Sequence, residues 1–343
     1  MFLAWALGHH SSVRPSPVCY PSSAHRLCNR MDAAHQLRIG TAGWSYKDWE
    51  GIVYPSDLKR RKIHPLEYLA CFFDTTEINS SFYGPIKPEI AKLWCRKVAA
   101  VNRGFVFTAK LYRAFTHSPV AVHEPTSAAT IRSTAEDEAR TREGLDAIAG
   151  DGRLGALLIQ FPVSFKNTAL NREYLERLLR QFIEYPRVVE LRHSSWNQAA
   201  TLAEFTRQRV GFCNIDQPLL GQSLVPTEHV TAPVAYVRLH GRNYDQWFDS
   251  DNRNDRYDYL YSERELAGWK ERIENVAQRA GTTFVVTNNH FEGKAVANAL
   301  ELKAMLSGRK VLAPATLVEK YSGLRKFADA EKDEADTGLP LLA

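Results

Sequence analysis

An α/β fold of the (β/α)8 barrel type is predicted by three features of the 343-residue sequence. Eight short apolar runs alternate with helix-like patterns over about 270 residues, which implies a parallel sheet with helices outside it. No G-x-G-x-x-G or G-x-x-x-x-G-K-[ST] motif follows any run, which argues against an open nucleotide-binding sheet. At least six of the runs also turn polar at their C-terminal ends, and in a barrel those ends share one mouth.

The elements follow in order. The first strand is "LRIGTAGW" (37–44). A helix is expected over 65–73, with Pro65 at its first position and Leu66, Leu69, Ala70 and Phe73 on one side. The second strand spans 75–83 and its helix 88–100. The third strand, 105–110, leads through a loop at 114–120 to a polar helix over 132–149. A fourth strand (155–162) and helix (170–183) come next, then a fifth strand (187–193) and a helix over 197–209. The sixth strand, 210–218, precedes an irregular stretch with weak helical signal. The seventh strand (234–241), a long loop and a helix over 263–279 follow, and the eighth strand (282–289) and a helix over 293–306 complete the series. This makes 37–310 a single barrel domain. Residues 311–343 form a C-terminal segment expected to fray beyond Lys326.

Residues 1–36 read as a disordered extension, rich in Ser and Pro and without periodicity. The apolar start "MFLAWALGHH" lacks a basic leader and is shorter than a signal core; initiation at Met31 stands as the alternative to Met1. The five cysteines (Cys19, Cys28, Cys71, Cys95 and Cys213) form no C-x-x-C pair. Scattered and odd in number, they fit reduced thiols and a cytoplasmic setting. A net charge of +5 permits anionic ligands without marking a nucleic-acid protein, and no apolar run has the length of a membrane span.

Function is sought where the polarity gathers. The strand ends supply Glu77 and Asn79, Lys110, Gln160, Glu190 and Arg192, Asp216, Arg238 and His240, and Asn288 and Asn289. Residues two apart share a strand face, so Glu77/Asn79, Glu190/Arg192 and Arg238/His240 are expected to point inward together. Buried charges must find counter-charges, water or a ligand. Two readings follow: an ion-pair network filling the barrel, or a site.

Several of these stretches resemble the YecE-like family, also called domain of unknown function 72. They are "IGTAGWSYKDWEG" (39–51), "TTEINSSFYG" (75–84), "FVFTAK" with "FTH" (105–117), "LIQFP" (158–162), "VVELRHSSW" (188–196), "YVRLHGRN" (236–243), "YDYLYSEREL" (257–266) and "TNNHFEGKAVANAL" (287–300). They run in family order over 38–306. The resemblance implies a TIM-like barrel and supplies no activity.

The chemistry expected from the residues is carboxylate acid/base catalysis on a small anionic or polyhydroxylated substrate, of hydrolase, lyase or isomerase type. Glu77, Glu190 and Asp216 are the proton-moving candidates, since a neighbouring acid raises a carboxyl pKa and a neighbouring cation lowers it. Lys110, Arg192 and Arg238 are expected to hold the anion, and Asn79, Gln160, Asn288 and Asn289 to orient it. His240 serves as base or ligand, and His117 stands on a mouth loop. Glu77, Glu190, Asp216 and His240 would suit a divalent metal such as Mg or Mn, although no metal-binding spacing secures one. Trp44, at the end of the first strand, is expected to bind the ligand, and Tyr46 and Trp49 just after it invite the same two readings, covering a ligand or docking on the rim. Trp247, Phe248, Tyr257, Tyr259 and Tyr261 lie on the long loop at 241–262, read either as a lid or as docked on the rim. A ligand-binding barrel without turnover and a nucleic-acid-processing barrel remain the alternatives.

Overall fold

The computed structural model describes residues 36–119, 126–244 and 255–331. The N-terminal extension short of Gln36, Trp247 and Phe248, most of the acidic loop at 249–255, and the tail from 332 lie outside the described residues.

Eight strands close a barrel in chain order: Gln36–Ala42 (β1), Thr75–Ile78 (β2), Val106–Lys110 (β3), Leu154–Gln160 (β4), Arg187–Glu190 (β5), Gly211–Asp216 (β6), Val234–Leu239 (β7) and Thr282–Thr287 (β8). All neighbours are parallel, and β8 pairs back onto β1. This is the TIM-like barrel that the alternating pattern predicts. Several strands end two to four residues before the polar runs do. Residues such as Asn79, Arg192 and His240 leave the ladder just past its last pairing and stand at the mouth.

The helices are Pro65–Leu69 (α1), Pro88–Val101 (α2), Ala135–Ala149 (α3), Ala169–Gln181 (α4), Ala199–Arg207 (α5), Glu263–Ala277 (α6) and Lys294–Ser307 (α7). Proline opens α1 and α2, where a missing N–H costs nothing. Thr134 with Asp137, and Ser262 with Glu265, cap α3 and α6 reciprocally. No helix is described between β6 and β7, where the sequence signal is weakest. Apolar side chains such as Phe73, Phe105, Leu175 and Leu300 fill the space between strands and helices. Inside the barrel, away from the mouth, the Phe284 ring takes the space at Gly155, where a Cβ would come within 2.4 Å of it.

The C-terminal segment departs from expectation. Val311–Ala313 (β9) and Ala328–Ala330 (β10) pair in parallel around Ala315–Lys320 (α8), so order continues past Lys326. The Glu331 amide donates to the Ala313 carbonyl at 2.8 Å, and its carboxylate accepts from the Tyr68 hydroxyl. Strands of three residues carry no readable alternation, which is why the pattern hides them. Among the described residues no helix is long and apolar enough to cross a membrane.

Candidate functional site

The strand registers decide which side chains face inward. Glu77 stands beside Thr108, Lys110 beside Leu158, Gln160 beside Glu190, Cys213 beside Tyr236 and Ile215 beside Arg238. Side-by-side residues of parallel strands share a face. Thr108, Lys110, Gln160, Glu190, Tyr236, Arg238 and His240 therefore line the interior with Glu77.

Arg238 is the hub. One terminal nitrogen donates to Glu190 Oε2 at 2.6 Å and the other to Glu77 Oε1 at 2.7 Å. None of the three side chains has exposed surface. The second oxygen of Glu77 accepts from the Tyr236 hydroxyl at 2.9 Å; with its proton so used, that hydroxyl accepts from Thr108 at 2.7 Å. Glu190 Oε1 accepts from Arg192 Nε at 2.8 Å, the same-face pair expected from "ELR". Burial opposes the charge of Glu190, but Arg238, Arg192 and His240 together hold its carboxyl well below the usual range. Glu190 is thus a fixed anion. Arg238 shows the converse: burial works against it, yet Glu190 and Glu77 hold its guanidinium firmly charged.

His240 has its tautomer set by its neighbours. Asn288 Nδ2 lies 3.0 Å from Nδ1, so Nδ1 accepts and the proton sits on Nε2, which faces Glu190 Oε1 at 3.2 Å. Burial pushes the ring pKa down to about 3, with Glu190 resisting and the two arginines assisting. His240 is therefore neutral at physiological pH.

Lys110 stands apart from this pairing. It is 7% exposed, its Nζ lies 4.1 Å from the Phe82 ring centroid, and no acidic partner bonds it among the described residues. Burial and Arg238 push its pKa down to about 7, against the pull of Glu77 and Glu190. His117 meets Phe82 edge to face at 4.9 Å and contacts Thr116 through Nδ1 at 2.9 Å. Burial, then Lys110, Arg113 and Arg192, take its pKa down to about 3. Gln160 is 9% exposed and has no side-chain hydrogen bond among the described residues. On another side of the barrel, Tyr46 stacks on His290 at 4.2 Å, and Tyr257 lies 4.7 Å from the same imidazole. The Tyr46 hydroxyl donates to the Ala42 carbonyl at 2.6 Å and bonds the side chain of Asn79.

Three expected site residues go elsewhere. Asp216 follows Ile215 by one position and so faces outward, where Arg242 Nε bonds both its oxygens at 3.1 and 2.9 Å. Burial raises its pKa despite Arg242 and bonds from Tyr261 and Trp269. Asn289 likewise faces away from Asn288, bonding the Tyr259 carbonyl and Asn298 on α7. Trp44 is turned aside by Gly43, whose φ of +81° favours glycine, and packs edge-on against Trp94 of α2 at 5.0 Å.

The metal expectation is also corrected. Among the described residues no three His, Cys, Asp or Glu side chains are grouped to hold an ion. The Arg238 guanidinium bridges Glu77 and Glu190, and Asp216 is outside. Of the lid aromatics, Tyr259 bonds Glu265, and Tyr261 accepts from the Gly241 amide. Residues missed in the sequence are Thr108, Tyr236, Phe82 and His290; the first three read as ordinary strand and turn residues. His290, next to the Asn pair, carried a signal that could have been followed.

A family model described as "Protein of unknown function DUF72" matches residues 38–320. The UPF0759 protein YunF of Bacillus subtilis (strain 168) is 26% identical over 285 residues, covering 79% of this chain and 94% of the relative. A crystal structure of a DUF72 family protein from Thermotoga maritima MSB8 is 33% identical, with a TM-score of 0.69, over 79% of this chain and 99% of that one. A second, from Enterococcus faecalis V583, is 25% identical, with a TM-score of 0.65, over 79% and 95%.

Proposed function

The chain belongs to the DUF72 family, and from that premise we propose that its barrel mouth is the active site of an enzyme acting on a small anionic substrate. One observation carries this reading: the cluster's two carboxylates are consumed, and cationic capacity is left over. Both oxygens of Glu77 and both of Glu190 are hydrogen-bonded by Arg238, Tyr236, Arg192 and His240. Arg192 uses only Nε on Glu190, and among the described residues Lys110 has no acid of its own. An incoming carboxylate or phosphate supplies the missing counter-charge and meets donors already fixed in place.

This reading moves the proton chemistry away from the carboxylates. Glu190 stays ionised, and His240 and His117 stay neutral, across the physiological range. Lys110, brought down to about 7, is the group described at the mouth that changes charge near neutrality. Glu77 and Glu190 act as fixed counter-charges, Arg192 holds the substrate anion, and Gln160 orients it.

Thermal melting with inorganic phosphate and with pyruvate tests the site. A ligand that binds only the folded chain stabilises it by about 2.7 kcal/mol at a hundredfold excess over Kd. Both probes are expected to raise Tm in the wild type, and Arg192→Met is expected to lose most of the rise. No rise with any small carboxylate or phosphate, or an equal rise in Arg192→Met, counts against the proposal.

A further inference from the structure

We infer that Lys110 is a nucleophilic amine that forms an imine with the carbonyl carbon of an anionic oxo compound, a 2-oxo acid being the simplest class. The inference deepens the anion-binding reading and rests on it for the position of the substrate's acidic group.

The geometry has three parts. Lys110 projects from the end of β3 into the mouth, and its Nζ lies over the Phe82 ring rather than against a carboxylate. A lysine that served only as a counter-charge would be expected to bond Glu77 or Glu190; here Arg238, Arg192 and Tyr236 occupy those acids. Arg192, which holds the substrate's acidic group in the reading above, is close enough to act on Lys110 electrostatically. Finally, the neighbouring titratable groups are unsuited to protonating a carbonyl oxygen: Glu190 is locked as an anion, and His117 and His240 are locked neutral. An iminium supplies that positive charge covalently.

Burial and a neighbouring cation are the two ways a lysine is made nucleophilic, and Lys110 has both. Its pKa of about 7 leaves roughly half the amine unprotonated at neutral pH, against about one part in three thousand for a lysine in water. The charged and titratable groups acting on it and on its neighbour His117 are Arg238, Glu77, Glu190, Arg192 and Arg113.

The step balances without a redox partner. The Nζ lone pair forms a bond to the carbonyl carbon while the C=O π pair moves to oxygen, and one proton passes from nitrogen to that oxygen. The carbinolamine takes a second proton from solvent, its C–O bond breaks, water leaves, and the C=N iminium remains.

Reductive trapping tests this on the full chain. The protein is incubated near neutral pH with pyruvate or with uncharged dihydroxyacetone, then treated with borohydride, which delivers hydride to the imine carbon. The expected product is a single adduct on Lys110, heavier by the mass of the probe less one oxygen and located by peptide mass spectrometry. It should be lost in Lys110→Arg and in Lys110→Met, with folding checked by circular dichroism. Trapping of pyruvate is expected to weaken in Arg192→Met, while that of dihydroxyacetone is retained. Adducts at Lys110 from dihydroxyacetone alone would leave the amine chemistry standing and sink the anion reading. Phosphate binding that needs Arg192, with no adduct from either probe, would do the reverse. Adducts spread over surface lysines and unchanged in Lys110→Arg would overturn the inference outright.

Discussion

Arg238 donates a 2.6 Å hydrogen bond to Glu190 inside a barrel where neither side chain has any exposed surface. Its second terminal nitrogen bonds Glu77. Such a pair repays its desolvation only when the remaining lone pairs are also satisfied, and here Tyr236, Arg192 and His240 do that. One strain remains: among the described residues, the buried Arg238 Nε has no partner.

Removing the hub should therefore be costly. Arg238→Met leaves two buried carboxylates facing each other and is expected to destabilise the chain by about 3–5 kcal/mol. Urea unfolding measures this, and the double variant Glu190→Gln/Arg238→Met should recover part of the loss, because the two sites are coupled. A cost within about 0.5 kcal/mol, the range for an unremarkable surface substitution, would show that the network is not formed as described.

Lys110 should behave in the opposite way. A buried cation without its own acid destabilises the fold, so Lys110→Met is expected to be more stable than the wild type near pH 7, by on the order of 2 kcal/mol. The sign follows from proton counts. Lys110 has its folded pKa lowered from 10.5 to about 7, so between those values the unfolded chain binds the extra proton. Lys110's contribution to stability thus rises with pH through that window, and its penalty is constant below it. The advantage of the Met variant should shrink as pH is raised from 7 towards 10.5. A variant less stable than wild type at every pH would mean that Lys110 has a counter-charge after all.

Asp216 separates stability from binding. It lies outside the mouth, on Arg242, so Asp216→Asn is expected to change stability by less than the loss of a charge-assisted bond alone, because burial already disfavours the Asp216 charge. The phosphate-induced rise in Tm should be unchanged. Loss of that rise in a folded Asp216→Asn protein would place Asp216 in the site after all.

The fate of Asp216 also shows where sequence reading stops. The pairs Glu190/Arg192 and Arg238/His240 were legible because two-residue spacing fixes a shared face, and the 2.8 Å bond from Arg192 to Glu190 realises it. Polarity alone does not say which face. In β6 the inward residues are Gly211, Cys213 and Ile215, while Asn214 and Asp216 are buried outside the barrel, Asn214 by the His229 carbonyl and Asp216 by Arg242. Those partners come from remote loops and leave no local signature. Asn288 and Asn289 make the same point, since neighbours in a chain near a strand end point opposite ways. Tyr236 and Thr108 were invisible for the converse reason: each is an ordinary strand residue, and only barrel closure sets Tyr236 against Glu77. The eight strands themselves were legible because their apolar runs and turn residues are local.

The buried imidazoles predict how the fold responds to acid. His240 and His117 are pushed down to about 3 and His290 to about 4, burial being the leading cause in each. His64, His193 and His229 are lowered as well. In the unfolded chain every one of them takes up a proton near pH 6.5, whereas the folded chain holds the first three neutral until the pH approaches their lowered values. Below that point of uptake the unfolded state binds more protons, so stability is fully present above about pH 6.5 and falls as the pH drops through it. Three such rings set a limiting slope of about 4 kcal/mol per pH unit, and Glu301, its carboxyl pushed up by burial to about 7, opposes them by about one proton because the folded chain protonates it first. Glu190 does not enter this window, because in either state its carboxyl titrates at or below the ordinary carboxylate value of 4.5. Urea unfolding at about pH 7, 6 and 5 should therefore show a steep decline, and His240→Asn should reduce the slope by about one proton. Equal stability at the two ends of that range would mean that the rings are already charged in the folded protein, and the tautomer assigned to His240 by Asn288 could not hold.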